Sequence, residues 1–374
     1  VSDAILILEI TMKKYILFSM LLAGAVPAAA AMDSDDAYVD SVCRQFDLNE
    51  VVVTGTRTPK FLKDTPIQTR VINAKELARL DATNVQDLLQ QELPRVEFSY
   101  AMNQQTHLNF SGFGGQGVLF LVDGERLAGE TMDDVDFTRL NMDNVERIEI
   151  VKGAASALYG SNATGGVINI ITKRNRQPWT LNVNARYAKH NEQRYGATWG
   201  LNSKHWNNML SAHFNRIDNY DVHSAANPVT RIISTVYGDK TVNLKEQLTW
   251  SPASNFRLTG RAGYFFRETV RSADLPERYR DFSGGLRMNW QMSDADGLQA
   301  SYAFDQYDKS DYQRITRLDI RDYSNVQNSF RLLYNHTFGD GDVLTVGSDL
   351  LHDHRYNTHQ EGETRKQDRW DSFA

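Results

Sequence analysis

The residues best suited to chemistry lie near the end of the chain. His352-Asp353-His354 carries two imidazoles at i, i+2, which strand alternation puts on one face, with His359 in the loop that follows. Neutral imidazole is a common ligand of metal ions and of haem iron. With no third ligand placed beside them, a polar rim is the favoured reading, and no metal or cofactor is expected. A second pattern, Gly112-Phe113-Gly114-Gly115-Gln116-Gly117, matches G-x-G-x-x-G. That fingerprint binds a dinucleotide only between a strand and a helix, whose N-terminus meets the pyrophosphate. Here the apolar run Leu119 to Val122 follows and predicts a strand, so the glycines read as a loop where side-chain bulk is unwelcome. Asp133, Asp134 and Asp136 read as a solvated loop rather than a metal site. Ser-His-Asp, nucleophile-elbow and H-E-x-x-H arrangements are missing from the sequence, and no enzyme is expected.

Composition narrows the classes further. Charged residues make up 24% of 374, and the mean hydropathy of −0.49 has a soluble look. A strand that alternates lipid-facing with lumen-facing residues averages to the same value, so both classes stay open. The net charge of −6 gives no reason to expect a nucleic-acid partner. The single cysteine, Cys43, excludes an internal disulfide and reads as a bystander thiol.

The positioning elements begin with an address. Met12-Lys13-Lys14, the apolar run Tyr15 to Val26, and Pro27 before four alanines form a secretory signal over 12–31. The apolar core is about 12 residues, against the ~20 a spanning helix needs. Residues 1–11 carry acids upstream of a better start, Met12, and 32–49 read as a linker. Glu50-Val51-Val52-Val53-Thr54-Gly55 is a short β-branched piece. It suits either an ordinary first strand or addition to the edge of another protein's sheet. Strands are predicted at Gln68–Ile72, Leu119–Val122, Val145–Val151 and Val167–Thr172, with an Asp123-Gly124 turn. Asn73 and Thr83 are candidate caps, the second for a helix carrying Val85, Leu88 and Leu89 that Pro94 ends. A short helix lies between Gly153 and Gly160.

From Trp179 onward the apolar period is two. Sets such as Phe256, Leu258, Ala262, Tyr264 and Phe266, or Leu298, Ala300, Tyr302 and Phe304, each span about ten residues, enough for a tilted transmembrane strand. Short links (203–205, 251–255, 293–296, 339–342) alternate with long polar ones (218–240, 268–279, 310–322, 357–367). Outer-membrane barrels sort their turns and loops in this way. Trp179, Trp206, Trp250, Trp290 and Tyr334 near strand ends suit an interfacial girdle. About nine strands and the start of a tenth are expected at 179–374, too few to close around a plug, because plugged transporters have about 22.

Three blocks resemble the plug of TonB-dependent outer-membrane receptors in order and spacing: Val51 to Arg57, Val118 to Arg126, and Val145 to Lys173. The resemblance implies an α+β plug domain at 57–175 followed by antiparallel transmembrane β-barrel strands, incomplete here. It implies that 50–56 is the TonB box, captured as a strand by TonB, which an inner-membrane motor complex energises. It marks Asp123, Gly124, Arg147, Glu149, Lys152, Gly153, Tyr159, Gly160, Gly165 and Gly166 as plug-motif positions. Gly112, Phe113, Gly114, Gly115 and Gln116 would then form a ligand-binding plug apex. Where the family often has Arg-Gly, this chain has Ser111-Gly112, so a plug–barrel ion cluster is expected only through Arg147. The implied function is active import, across the outer membrane, of a scarce large solute. An iron chelate (siderophore or haem) comes first and cobalamin second, with a passive porin or adhesin as the other class. Partners would be TonB, outer-membrane lipid and the chelate.

Overall fold

The computed structural model describes residues 51–52, 54, 60–61, 69–74, 76–77, 85–92, 96–100, 106–110, 112, 117–127, 130–131, 134–140, 144–153, 159, 163–224, 227–270, 274–339, 342–359 and 366–373. The export signal, the linker and Cys43 lie outside them.

The first part is a small α+β unit. Val51–Val52 (β1) pairs with Lys60–Phe61 (β2). Thr69–Ile72 (β3) leads into a helical turn at Asn73, whose side chain accepts from Glu76 N at 3.1 Å while Glu76 Oε2 accepts from Asn73 N at 3.0 Å. This reciprocal capping box satisfies two donors that a helix start would otherwise leave open. The helix Val85–Glu92 (α1) buries Val85, Leu88 and Leu89 completely, the single face that its spacing predicts. Val96–Tyr100 (β4) and Thr106–Phe110 (β5) form a hairpin. Val118–Val122 (β6) and Glu125–Arg126 (β7) flank the Asp123-Gly124 turn. Glu130–Thr131 (β8) pairs with Asp134–Val135 (β9), and a 3-10 turn covers Phe137–Arg139. Val145–Lys152 (β10) and Gly166–Thr172 (β11) complete a five-stranded sheet in the order β3-β10-β11-β6-β7, with β11 parallel to β6. Its core joins Ile72, Leu88, Phe120, Ile148, Ile150 and Ile168.

Gly166 sits at the centre of that packing. Its φ is +150°, and a Cβ there would lie 2.6 Å from the Val151 carbonyl oxygen and 3.0 Å from the Phe110 ring. No side chain fits without moving backbone, which is the close approach that glycine permits.

The second part is a ten-stranded antiparallel sheet. Its strands are Trp179–Ala188 (β12), Glu192–Asn202 (β13), Trp206–Arg216 (β14), then Asp239–Ala253 (β17), Phe256–Thr269 (β18), Glu277–Gln291 (β19), Asp296–Gln313 (β20), Leu318–Thr337 (β21), Val343–Asn357 (β22) and Lys366–Phe373 (β23). Between β14 and β17 the expected long loop contains its own hairpin, Tyr220–Ser224 (β15) with Asn227–Val236 (β16). Another loop is much shorter than expected. Most of 310–322 is strand, leaving a tight turn before Leu318, and β21 runs for 20 residues where a crossing needs about 9–11. Polar residues beyond the apolar band keep their backbone groups paired by continuing the ladder.

Leu286, Trp290, Leu332 and Val346 are exposed on one face of this sheet, and on its other face Phe265, Tyr279, Tyr307 and Tyr323 form a buried cluster. Trp206 stacks with Trp250 across the ladder, ring centroids 6.0 Å apart, and Phe256 meets Trp250 edge-on. These rings lie at the short-turn end, as an interfacial girdle requires. Among the described residues, β12 and β23 are edges of an open sheet.

Candidate functional site

The α+β unit meets the inner face of the sheet through two polar contacts. The first grows from the Asp123-Gly124 turn. Both residues have positive φ, +52° and +82°, which a two-residue hairpin between β6 and β7 demands. The turn is braced from within: Asp123 Oδ1 accepts from Thr172 N at 2.9 Å, Oδ2 from Thr172 Oγ1 at 2.7 Å, and Asn169 Oδ1 accepts from Gly124 N at 2.9 Å. Three arginines from the sheet close on its other side. Arg261 pairs with Asp123 at 3.4 Å and with Glu125. Arg287 donates to Glu125 Oε1 at 2.9 Å and to the Asp123 carbonyl. Arg331 donates to the Gly124 carbonyl at 3.0 Å while held by Asp349 at 2.7 Å. Burial pushes the Asp123 carboxyl up, but Arg261, Thr172 and Arg287 together outweigh it and hold the group below its ordinary value.

The second contact is the 3-10 turn. Asp136 caps it, accepting from Thr138 N at 3.1 Å, and also takes the Tyr307 hydroxyl at 2.8 Å and Arg267 at 3.4 Å. Arg139 is buried against Asp281 at 3.3 Å and Asp305 at 3.7 Å, with Tyr307 facing its guanidinium at 4.8 Å. Its carbonyl accepts from Asn243 at 2.8 Å and Lys245 at 3.2 Å. Burial again raises and Arg267, Thr138 and Arg139 lower the Asp136 carboxyl, for a net depression. This corrects the reading of Asp136 as a solvated loop residue: hairpin β8–β9 carries it to the sheet. Asp134 is in β9, and Asp133 lies outside the described residues.

The expected ion cluster through Arg147 is likewise replaced. Arg147 pairs inside the α+β unit, 2.8 Å from Glu149, and the cluster that bridges to the sheet runs from acids on the unit to arginines on the strands. Alternation hinted at this polarity. Arg261 and Arg267 occupy β18 positions opposite in parity to Leu258, Ala262, Tyr264 and Phe266, so they point inward.

Glu149 has a further occupation. Its side chain is fully buried, and Oε2 accepts from Thr54 N at 2.9 Å and from Thr54 Oγ1 at 2.6 Å. Asn169 Nδ2 donates to Thr54 Oγ1 at 2.9 Å, and the Tyr159 hydroxyl donates to the Thr54 carbonyl at 3.0 Å. Thr54 is itself completely buried. Every polar atom of this one residue is met, by side chains from β10 and β11 and by Tyr159. Of the segment expected as the TonB box, β1 holds Val51 and Val52, while Glu50, Val53 and Gly55 lie outside the described residues.

The remaining sequence candidates scatter. Gly153 has φ +84° at the end of β10 beside Lys152, and Gly165 N donates to the Gly117 carbonyl at 2.7 Å. Arg126 reaches the Tyr159 carbonyl. Gly112 is exposed with φ +90°, its N–H donating to Asn109 at 2.9 Å. Phe113, Gly114, Gly115, Gln116 and Gly160 lie outside the described residues. β6 follows the glycine run directly, where a dinucleotide site needs a helix. His352 and His354 share parity with the exposed Val346 and Leu350, on the outer face. His354 Nδ1 and His352 Nε2 both face Asp368 Oδ1, at 2.7 and 3.5 Å, and His352 also stacks on Trp370 at 4.1 Å, while His359 turns away to Asp322 at 3.1 Å.

A sheet with apolar exterior, girdled turn end and an α+β unit pinned to its inner face defines the plugged β-barrel class of outer-membrane protein. Residues 62–167 match the TonB-dependent Receptor Plug Domain family model. Among curated relatives, the chain is 36% identical over 137 residues to the vitamin B12 transporter BtuB of Vibrio cholerae, 36% of this chain and 22% of that one. It is 32% identical over 123 residues to BtuB of Photobacterium profundum, 33% of this chain and 20% of that one. Solved structures similar in fold include the ferric-catecholate import receptor Fiu of E. coli (TM-score 0.63, 14% identity, 80% of this chain and 51% of that one). Pseudomonas aeruginosa FpvA bound to a pyoverdine–iron complex has TM-score 0.67 at 14% identity, over 85% of this chain and 46% of that one. The chain thus spans about half the length of these structures, and the matches cover about a fifth of the curated relatives. Residues 62–167 thus carry the plug-domain match, and the chain as a whole shares the fold of these receptor structures.

Proposed function

We propose that this chain forms the plug and ten barrel strands of a TonB-dependent importer, which carries a scarce large solute across the outer membrane, with residues 50–56 as the TonB box. The observation that carries the reading is the docking of Thr54. A segment that a partner must capture by strand addition needs a resting place that is specific yet shallow. Four hydrogen bonds to one residue provide it, on the same strands, β10 and β11, that build the plug sheet. The plug itself is bonded to the sheet elsewhere, through Asp123, Glu125, Asp136 and Arg139, so a pull on Thr54 reaches the sheet through β10, β11 and Tyr159 rather than directly. No catalytic role is assigned.

The solute in this reading is an iron chelate, siderophore or haem, in keeping with a fold shared with the ferric receptors. Cobalamin is the second reading, favoured by 32–36% identity to vitamin B12 transporters over 123–137 residues. Uptake of labelled ferric siderophore, haem and cobalamin, by cells carrying the full-length gene with and without residues 50–55, tests both. Uptake of one solute that vanishes with the deletion is expected. Uptake that survives the deletion makes the barrel a passive pore and removes the box assignment.

A further inference from the structure

Asn169 of β11 touches both the Asp123-Gly124 turn and Thr54. Its side chain is buried, and each end of the amide is used. Oδ1 accepts from Gly124 N at 2.9 Å, and Nδ2 donates to Thr54 Oγ1 at 2.9 Å. A backbone N–H can only donate, so the oxygen must face the turn and the nitrogen must face Thr54.

The bonds continue in one direction from Thr54. Its Oγ1 donates in turn to Glu149 Oε2 at 2.6 Å, and Arg147 Nε donates to Glu149 Oε1 at 2.9 Å. Donors that point one way toward a buried carboxylate polarise each bond of the series. At the other end, Gly124 N belongs to the same peptide unit as the Asp123 carbonyl, which accepts from Arg287 of β19. That unit is planar and trans, so its N–H and its C=O point in opposite directions. Asn169 holds one side of this peptide from the plug while Arg287 holds the other from the sheet. Thr54, Asn169, the peptide and Arg287 thus form a continuous line from Glu149 to β19.

A second line leaves Thr54 through Tyr159. Its hydroxyl donates to the Thr54 carbonyl at 3.0 Å, and its own carbonyl accepts from Arg126 of β7. This route bypasses the 123–124 peptide.

We propose that Asn169 is the positioning residue that makes the Asp123-Gly124 peptide depend on whether Thr54 is docked. The proposal rests on 50–56 being the segment that TonB captures. Withdrawal of Thr54 leaves Nδ2 buried with its acceptor gone, a cost the amide escapes by turning toward another partner. Turning breaks the bond to Gly124 N as well, because one rigid amide carries both atoms. Asp123 keeps its bonds to Thr172 and to the Ile170 carbonyl. The turn is therefore loosened where Arg287 meets it, and the plug stays mounted.

Amide hydrogen exchange at Gly124 tests this on the full-length protein in detergent, with neither TonB nor solute present. Mass spectrometry of peptides spanning the β6–β7 turn reads it. Thr54→Val keeps the shape at 54 but removes the hydroxyl, and exchange at Gly124 is expected to rise about five-fold, the effect of one hydrogen bond. Thr54→Ser keeps the hydroxyl and should keep exchange slow. Asn169→Leu should raise exchange by a similar factor, and adding Thr54→Val to it should change nothing more, since both act through one series of bonds. Tyr159→Phe cuts the other line and should leave Gly124 as it is. Unchanged exchange in Thr54→Val, or an equal rise in Tyr159→Phe, overturns the role of Asn169. If Asn169→Leu loses the heat-modifiable barrel band on a gel, Thr54→Val against Thr54→Ser decides alone. Uptake that survives deletion of 50–55 removes the TonB-box reading instead, and the exchange data separate that failure from this one.

Discussion

Two attachments differ in chemistry: the Asp123-Gly124 turn joins the plug to the sheet, and the Thr54 site joins the N-terminal segment to the plug. At the Asp123-Gly124 turn, two carboxylates and two carbonyl oxygens meet three arginines from separate strands, most of it out of water. At Thr54, one residue is met by four hydrogen bonds and a single carboxylate. Leaving one charge of a buried ion pair without its partner costs about 3–5 kcal/mol. A hydrogen bond to a charged group contributes about 1.5–3 kcal/mol net and a neutral one nearer 1. The turn therefore acts as the fixed mounting and Thr54 as the release, so a force applied to the N-terminal segment undoes the second before the first.

The comparison can be broken in several ways. Removing 50–55 is expected to abolish solute uptake while leaving the barrel's heat-modifiability unchanged; a partial loss would mean that capture does not need the segment. Glu125→Ala takes from Arg287 its ion-pair partner and leaves Arg261 with Asp123 alone, and is expected to destabilise the plug–sheet contact by about 3–5 kcal/mol, seen as early plug release in urea. An unchanged midpoint would show that the arginines gain water instead. Glu149→Gln keeps the shape but loses the charge, and should loosen Thr54 by about 1–3 kcal/mol. Faster labelling of a cysteine placed at Val52, which leaves Thr54 and its bonds in place, would report it, with the urea midpoint of the plug contact nearly unmoved. If that midpoint falls as far as in Glu125→Ala, the two attachments are one unit.

Acid gives the finest distinction. Asp123 and Asp136 both titrate below the ordinary aspartate value in the folded protein. Their stabilisation is complete above that value, roughly 4, and is lost as pH falls through the lowered folded value. The plug–sheet contact should hold at pH 5 and weaken below about 4, and Asp123→Asn should flatten part of that slope. A contact that weakens already between pH 7 and 5 would exclude these carboxylates as the cause.

Much of the scaffold was readable from local pattern. The alternation of Val145 to Val151, the apolar run Leu119 to Val122 and the period-two sets after Trp179 each announce a strand, because burial of one or both faces leaves its mark on adjacent residues. The attachments left no such mark. Glu125 and Arg261 are 136 residues apart, and Thr54 and Glu149 are 95 apart. Only the register of the ladders brings them together. An arginine at an inward position, as Arg261 and Arg287 are, was the available signal, since a charge facing a plug needs a partner there. It named the sheet's half of the cluster without naming the acids. The extent of the strands was misread for another reason: hydropathy marks where lipid ends, and the ladder of β20 and β21 runs on in water because its backbone bonds are satisfied there too.

The parallel pairing of β11 with β6 bears on how the chain reaches this state. Most neighbours in the ten-stranded sheet follow each other in the chain, so each pair zips from a nearby turn. Val118 meets Gly166 only after β7, the hairpin of β8 and β9, the 3-10 turn and β10 have intervened. Closing such a loop costs entropy before any contact compensates, and sheets with distant pairings form slowly. The barrel hairpins are then the early structures and the plug sheet the late one. The Asp123-Gly124 turn closes locally, but its bracing by Asn169 and Thr172 waits for β11 to reach β6.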